Sequence, residues 1–127
     1  MVRRTFLQDK PFVGVDLVEI ERAKAFYRAH HSRLDAYFSG EEIAFVKRAH
    51  RRGHERLAVL VAAKEAAFKA LGSPWMGPEG FRSILVTPSA RARTLECRTN
   101  SPLPVRRLTL TYFIKRHFVV VRCAGTS

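Results

Sequence analysis

Cysteine is scarce in this chain, acidic residues are few, and long apolar runs are missing. Cys97 and Cys123 have neither metal-ligand spacing nor the further cysteines of a disulfide framework, so they read as two reduced thiols of a cytoplasmic protein. No segment approaches the roughly twenty apolar residues of a membrane span. The N-terminal M-V-R-R-T-F-L-Q-D-K-P-F has two arginines but no apolar stretch after them, which argues against a secretory signal. Repeats, low-complexity tracts and linker-like segments are absent too. One domain over 1–127 is expected, with 1–12 as an N-terminal extension.

Eleven Asp and Glu against twenty-three Lys and Arg leave a net charge of +12. Such a surface attracts polyanions, whether nucleic acid, anionic membrane or an acidic protein. The basic residues form two blocks, one around Lys47, Arg48, Arg51, Arg52 and Arg56, the other from Arg91 to Arg122 and offset only by Glu96. At 46% hydrophobic content the chain can still bury a core.

Periodicity gives the organisation. A strand is expected at 12–20 and a short helix at 21–31, with Ala25, Phe26 and Ala29 inward. Ser39 with Glu42 three residues later marks a capping box before Ile43, Phe45 and Val46. A polar connection at 48–54, containing His50 and His54, leads to a long helix at 55–71 that stops at Gly72. S-P-W-M-G-P-E-G (73–80) reads as a turn-rich loop, with Trp75 and Met76 covering a core edge or lining a pocket mouth. Strands are expected at 81–87 and 92–98, then a hairpin of 108–113 and 117–123 turning around 114–116. The fold class is α+β, a mainly antiparallel sheet packed on a long central helix. Cys123, in V-V-V-R-C-A, belongs to the core or an interface. His30 and His31 are adjacent and read as solvated.

The stretch L-A-V-L-V-A-A-K-E-A-A-F-K-A-L-G (57–72) holds almost only apolar and small residues, so its helix should be covered on most sides. Ala58, Ala62, Glu65 and Lys69 fall on one helical line. A buried charge is costly unless it is paired or holds a metal, so Glu65 needs a partner. One solution is an i,i+4 ion pair with Lys69. The strand V-G-V-D-L-V-E-I (13–20) offers another. Alternation puts Gly14, Asp16, Val18 and Ile20 on one face and Val13, Val15, Leu17 and Glu19 on the other, leaving Asp16 in an apolar setting beside a glycine. Two such carboxylates repel when brought together, and a hard divalent cation relieves the repulsion. Magnesium commonly takes one or two protein carboxylates together with water and phosphate oxygens. These residues point to a magnesium–phosphate site of Asp16, Glu65 and Lys69.

G-V-D-L-V-E-I-E-R (14–22) followed by A-A-K-E-A-A-F-K-A-L-G (62–72) resembles the holo-acyl-carrier-protein synthase family, the small 4'-phosphopantetheinyl transferases. The resemblance implies transfer of the phosphopantetheine arm of coenzyme A to a serine of an apo acyl carrier protein, with release of 3',5'-ADP. It implies Asp16 and Glu65 as Mg²⁺ ligands and Asp16, Glu65 and Lys69 as catalytic residues. Lys69, Lys64 and Tyr112 would bind coenzyme A, and Arg22 and Arg28 the carrier; an ordinary solvated helix-start arginine is the other reading of Arg22. The serine's proton would go to Glu65 or to a water on the metal. A homotrimer with sites between subunits is implied as well. Two positions depart from the family pattern: Tyr112 stands where a histidine is expected, and Leu60 where the central helix often carries an arginine. Two other readings stay open. One is a catalytically silent relative that binds an acidic carrier. The other is a nucleic-acid module resting on the +12 charge, which lacks the polar groove-facing side chains of a recognition helix.

Overall fold

The computed structural model describes residues 11–72, 77–99 and 107–126. Residues 1–10, Trp75 and Met76, and most of the proline-containing segment before the final hairpin lie outside that set. Five strands form one antiparallel sheet: β1 (Pro11–Glu19), β2 (Ile84–Pro88), β3 (Thr94–Thr99), β4 (Arg107–Ile114) and β5 (Phe118–Thr126), in the order β1-β5-β4-β3-β2. The helices are α1 (Ile20–His30), α2 (Gly40–Lys47), α3 (Gly53–Leu71) and α4 (Gly77–Ser83), with 3₁₀ turns at His31–Ala36 and His50–Arg52. The expected α+β architecture is present. β1 and β5 pair along their whole length, so the two ends of the described chain share one edge.

α3 lies across the inner face of β1 and β5 and is roofed by α1 and α2. Its alanines are the reason it can. Ala58, Ala62, Ala63, Ala66 and Ala67 are all fully buried, and their short side chains let the sheet approach the helix axis closely. Gly14 completes the approach, since a β-carbon there would sit 2.1 Å from the Ala66 carbonyl oxygen and 2.7 Å from the Ala70 nitrogen. Gly72, in the left-handed region at φ 68°, ends α3 as expected. Ser39 and Glu42 form the full capping box at the start of α2. The alternation of β1 holds as well: Asp16 and Val18 are buried, while Val13, Val15 and Leu17 are about half exposed.

Three expectations change. On α1 the inward residues are Ile20, Ala23, Phe26 and Tyr27, while Ala25 and Ala29 are exposed; the helix turns Ala23 rather than Ala25 to the core, on the three-to-four residue spacing that runs from Ile20. The strand expected at 81–87 begins only at Ile84, because 77–83 is helical. Phe81 and Ile84 are both buried, three residues apart, which is the helical spacing and not the alternation of a strand. His30 is half-buried rather than solvated, while His31 is exposed as expected. His30 packs its ring on Phe26 at 4.6 Å and Tyr37 at 5.0 Å, and His31 lies 5.9 Å from Tyr27.

Candidate active site

Asp16 and Glu65 come together at the crossing of β1 and α3. The isolated i,i+4 pair does not form. Lys69 Nζ instead donates to Asp16 Oδ1 at 2.7 Å and to the Val15 carbonyl at 3.2 Å. Glu65 Oε1 accepts from Arg22 Nη2 at 3.0 Å. The helix thus reaches across to the strand and to α1 rather than along itself. Asp16 is 8% exposed, whereas the Lys69 and Arg22 side chains are 59% and 60% exposed, so two largely exposed cations flank a sunken carboxylate pair.

The pair is electrostatically incomplete. Asp16 Oδ2 is buried and has no hydrogen-bond partner. Burial pushes the Glu65 carboxyl up to about 7, hydrogen bonding and repulsion from Asp16 push the same way, and Arg22 opposes them. Two carboxylates in this position share a proton or a cation. Hard oxygen donors, one of them orphaned, fit a divalent ion of the magnesium type. Among the described residues no third His, Cys, Asp or Glu joins them, so the remaining ligands would come from water and substrate. His50 lies in the His50–Arg52 3₁₀ turn and His54 in the first turn of α3, so the helix begins two residues before the expected 55.

Beside Glu65 lies a mainly apolar cavity of about 230 Å³, lined by Val18, Arg22, Ala23, Phe26, Val61, Glu65 and Phe81. Phe26, Val61 and Phe81 were not foreseen as site residues; an apolar wall has no signal that separates it from core. Tyr112 faces Val121 across β4–β5, and Val121 faces Asp16 across β5–β1. Tyr112 therefore shares a face and a row with Asp16, two strand spacings away or roughly 10 Å. It also lines an open cleft of about 470 Å³ with Arg93, Phe113, Ile114 and Lys115. Arg28 is exposed on α1, the helix that carries Arg22. Leu60 is fully buried.

Lys64 has to be reassigned. It is completely buried, and its Nζ donates to Glu42 Oε1 at 2.9 Å, the Phe81 carbonyl at 2.5 Å and the Ile84 carbonyl at 2.7 Å, with the Tyr37 carbonyl at 3.4 Å. No donor is left for a coenzyme phosphate. Lys64 belongs to the core, on the side of α3 away from solvent.

Residues 12–120 match the model of the 4'-phosphopantetheinyl transferase superfamily. The chain is similar to the holo-[acyl-carrier-protein] synthase of Wolinella succinogenes, 34% identical over 113 residues that cover 88% of this chain and 81% of the relative. It is also similar to the Clostridium kluyveri synthase, 41% identical over 81 residues covering 64% of this chain; that match spans only 59% of the relative's length. In fold it resembles the Helicobacter pylori holo-[acyl-carrier-protein] synthase solved in complex with coenzyme A, with a TM-score of 0.74, 22% identity, and coverage of 91% of this chain and 99% of the other.

Proposed function

The chain belongs to the 4'-phosphopantetheinyl transferase superfamily, and from that premise we propose that it moves the phosphopantetheine arm of coenzyme A onto a serine of an apo acyl carrier protein. The observation that carries this reading is the Asp16–Glu65 pair with its orphaned oxygen, set between Lys69 and Arg22.

In the proposed reaction the serine Oγ bonds to the phosphorus that bears pantetheine. The bond from that phosphorus to the bridging oxygen breaks, and 3',5'-ADP leaves with the bridging oxygen and its electron pair. Asp16 and Glu65 would hold Mg²⁺, which when bound supplies positive charge to the diphosphate. Lys69 is anchored at Asp16 and more than half exposed, so it can turn a donor to the same phosphates. The serine proton would go to Glu65 or to a water on the ion, since Glu65 lies beside both the Asp16 carboxylate and the cavity. Val61, Phe26 and Phe81 form an apolar wall beside the Glu65 carboxyl. Tyr112, on the Asp16 row, would contact the coenzyme. Arg28 and the exposed part of Arg22 would meet the acidic carrier.

Val13, Val15 and Leu17 on β1 and Phe113 on β4 are about half exposed on the outer face of the sheet, and Leu17 and Phe113 flank Val120 in one row. This apolar patch, with the exposed Arg122 beside Val15, fits burial against further copies of the chain, and we assign it to a homotrimer contact. Light scattering should then give three times the 14.5 kDa chain mass, and Leu17→Asp should reduce it to a monomer. A monomeric wild type rejects the assignment.

The transfer itself is tested by mass spectrometry of an apo acyl carrier protein incubated with this protein, coenzyme A and Mg²⁺. The expected product carries one added phosphopantetheine and is absent with Glu65→Ala. No addition to several apo carriers by a folded sample overturns the transferase reading.

A further inference from the structure

Glu42 and Lys64 form a buried ion pair that the transfer chemistry does not use. Glu42 is 1% exposed and Lys64 0%. Besides Lys64, Glu42 Oε1 accepts from the Ser39 backbone N–H, and Glu42 Oε2 accepts from Val86 N–H at 2.9 Å. Lys64 spreads its donors over Glu42 and the carbonyls of Phe81, Ile84 and Tyr37, with its Nζ 5.2 Å from the Phe38 ring centre. Burial pulls the ammonium below the usual lysine range, and Glu42 acts the other way. Such a pair adds little net stability, because stripping water from two charges offsets their attraction; apolar replacements of similar shape are often as stable. Stability is a weak reason for it.

What the pair fixes is geometry. Its bonds gather the turn before α2, the α2 N-terminus, the α4–β2 junction and β2 onto one side chain of α3. That side chain is the immediate neighbour of Glu65. Consecutive helical residues lie about 100° apart around the axis, so clamping Lys64 on the inner side sets the rotation that turns Glu65 to Asp16. The same ammonium holds the Phe81 carbonyl, and Phe81 walls the cavity next to Glu65.

We infer that the Glu42–Lys64 pair is the positioning element of the site, setting the rotation of α3 and the Phe81 wall and so placing the Glu65 carboxylate against Asp16. The inference rests on the transferase reading for what Glu65 does. Lys64 itself touches neither substrate; it acts through Glu65 and Phe81.

Lys64→Met alone strands a buried carboxylate and is expected to damage the fold. The deciding variant is Glu42→Gln/Lys64→Met, which removes both charges at nearly constant shape. It should keep the wild-type circular dichroism spectrum. Its affinity for Mn²⁺, measured by calorimetry on the protein alone, should fall about tenfold or more, with a similar fall in kcat and little change in KM for coenzyme A. Wild-type Mn²⁺ affinity and kcat in the folded double variant overturn the inference. So does a crystal structure of that variant with Glu65 unmoved against Asp16. If neither the double variant nor Glu42→Gln folds, the pair is a determinant of the fold rather than of the site, and the inference also fails. A wild type that transfers nothing overturns the transferase reading separately, because the position of Glu65 in the variant still decides this one.

Discussion

Two charged residues of one helical line, Glu65 and Lys69, decline each other and take partners on other elements. Lys69 reaches Asp16, and Glu65 is met by Arg22. The reason is burial. A helical i,i+4 pair is worth only a few tenths of a kcal/mol on a surface, while an unpaired carboxylate in an apolar strand costs far more. Asp16 therefore captures the lysine. Replacing Glu65 by Gln, which keeps shape and removes the carboxylate proposed to serve the reaction, should lower kcat by about 10²–10⁴-fold in a carrier-modification assay. Cation binding is expected to release protons, because Glu65 holds one up to about pH 7 in the cation-free protein and must surrender it to a divalent ion. Calorimetry in buffers of different ionisation enthalpy should show more proton release at pH 6 than at pH 8; equal release at both rejects the shared-proton description. The sign for folding follows from the same rise. The folded state binds the proton more tightly than the unfolded chain, whose ordinary value is 4.5, so cation-free stability should decline as pH rises from about 4.5 to 7.

The helix–strand crossing has almost no tolerance at the scale of elements. A methyl group added at Gly14 meets the backbone of α3 rather than a side chain that can swing away. Gly14→Ala should cost about 1–3 kcal/mol or more in thermal unfolding, by pushing β1 off α3 and separating Asp16 from Glu65. The α2 cap is a milder case: Ser39→Ala removes the acceptor for the Glu42 N–H and should cost about 1 kcal/mol, read as a drop in melting temperature. Cys97 and Cys123 are fully buried on the inner face of the sheet, and burial pushes both thiols up to about 12. Neither should react with a thiol reagent at pH 8 until the protein unfolds; rapid labelling of the native protein would contradict that packing. These elements were largely legible in the sequence, because the capping box, the Gly72 stop and the alternation of β1 are local signals. The α4–β2 boundary was not, since F-R-S-I suits an alternating strand until the burial of both Phe81 and Ile84 shows the helical spacing.

On the scale of the whole molecule the +12 charge and the exposed apolar sheet face act at different ranges. For the proposed acidic carrier, basic groups would act from a distance, so kcat/KM for the carrier should fall as ionic strength rises. Insensitivity of carrier kinetics to salt would argue against that role of the charge. No helix among the described residues is long and apolar enough to cross a membrane.

The sequence by itself determined the carboxylates and the strand and helix that carry them. An acid in an apolar alternating strand and a Lys-Glu pair in an alanine-rich helix each announce an unmet electrostatic need, and such needs are local. It also determined the α+β class through periodicity and caps. Which needs satisfy which was decided only by the tertiary structure. Lys64 and Lys69 look equivalent in A-A-K-E-A-A-F-K, yet one is sealed against Glu42 and backbone carbonyls and the other opens to solvent at Asp16. Their difference is their angle around α3, and that angle is set by contacts with Gly14, Glu42 and Phe81, far from either lysine in the chain.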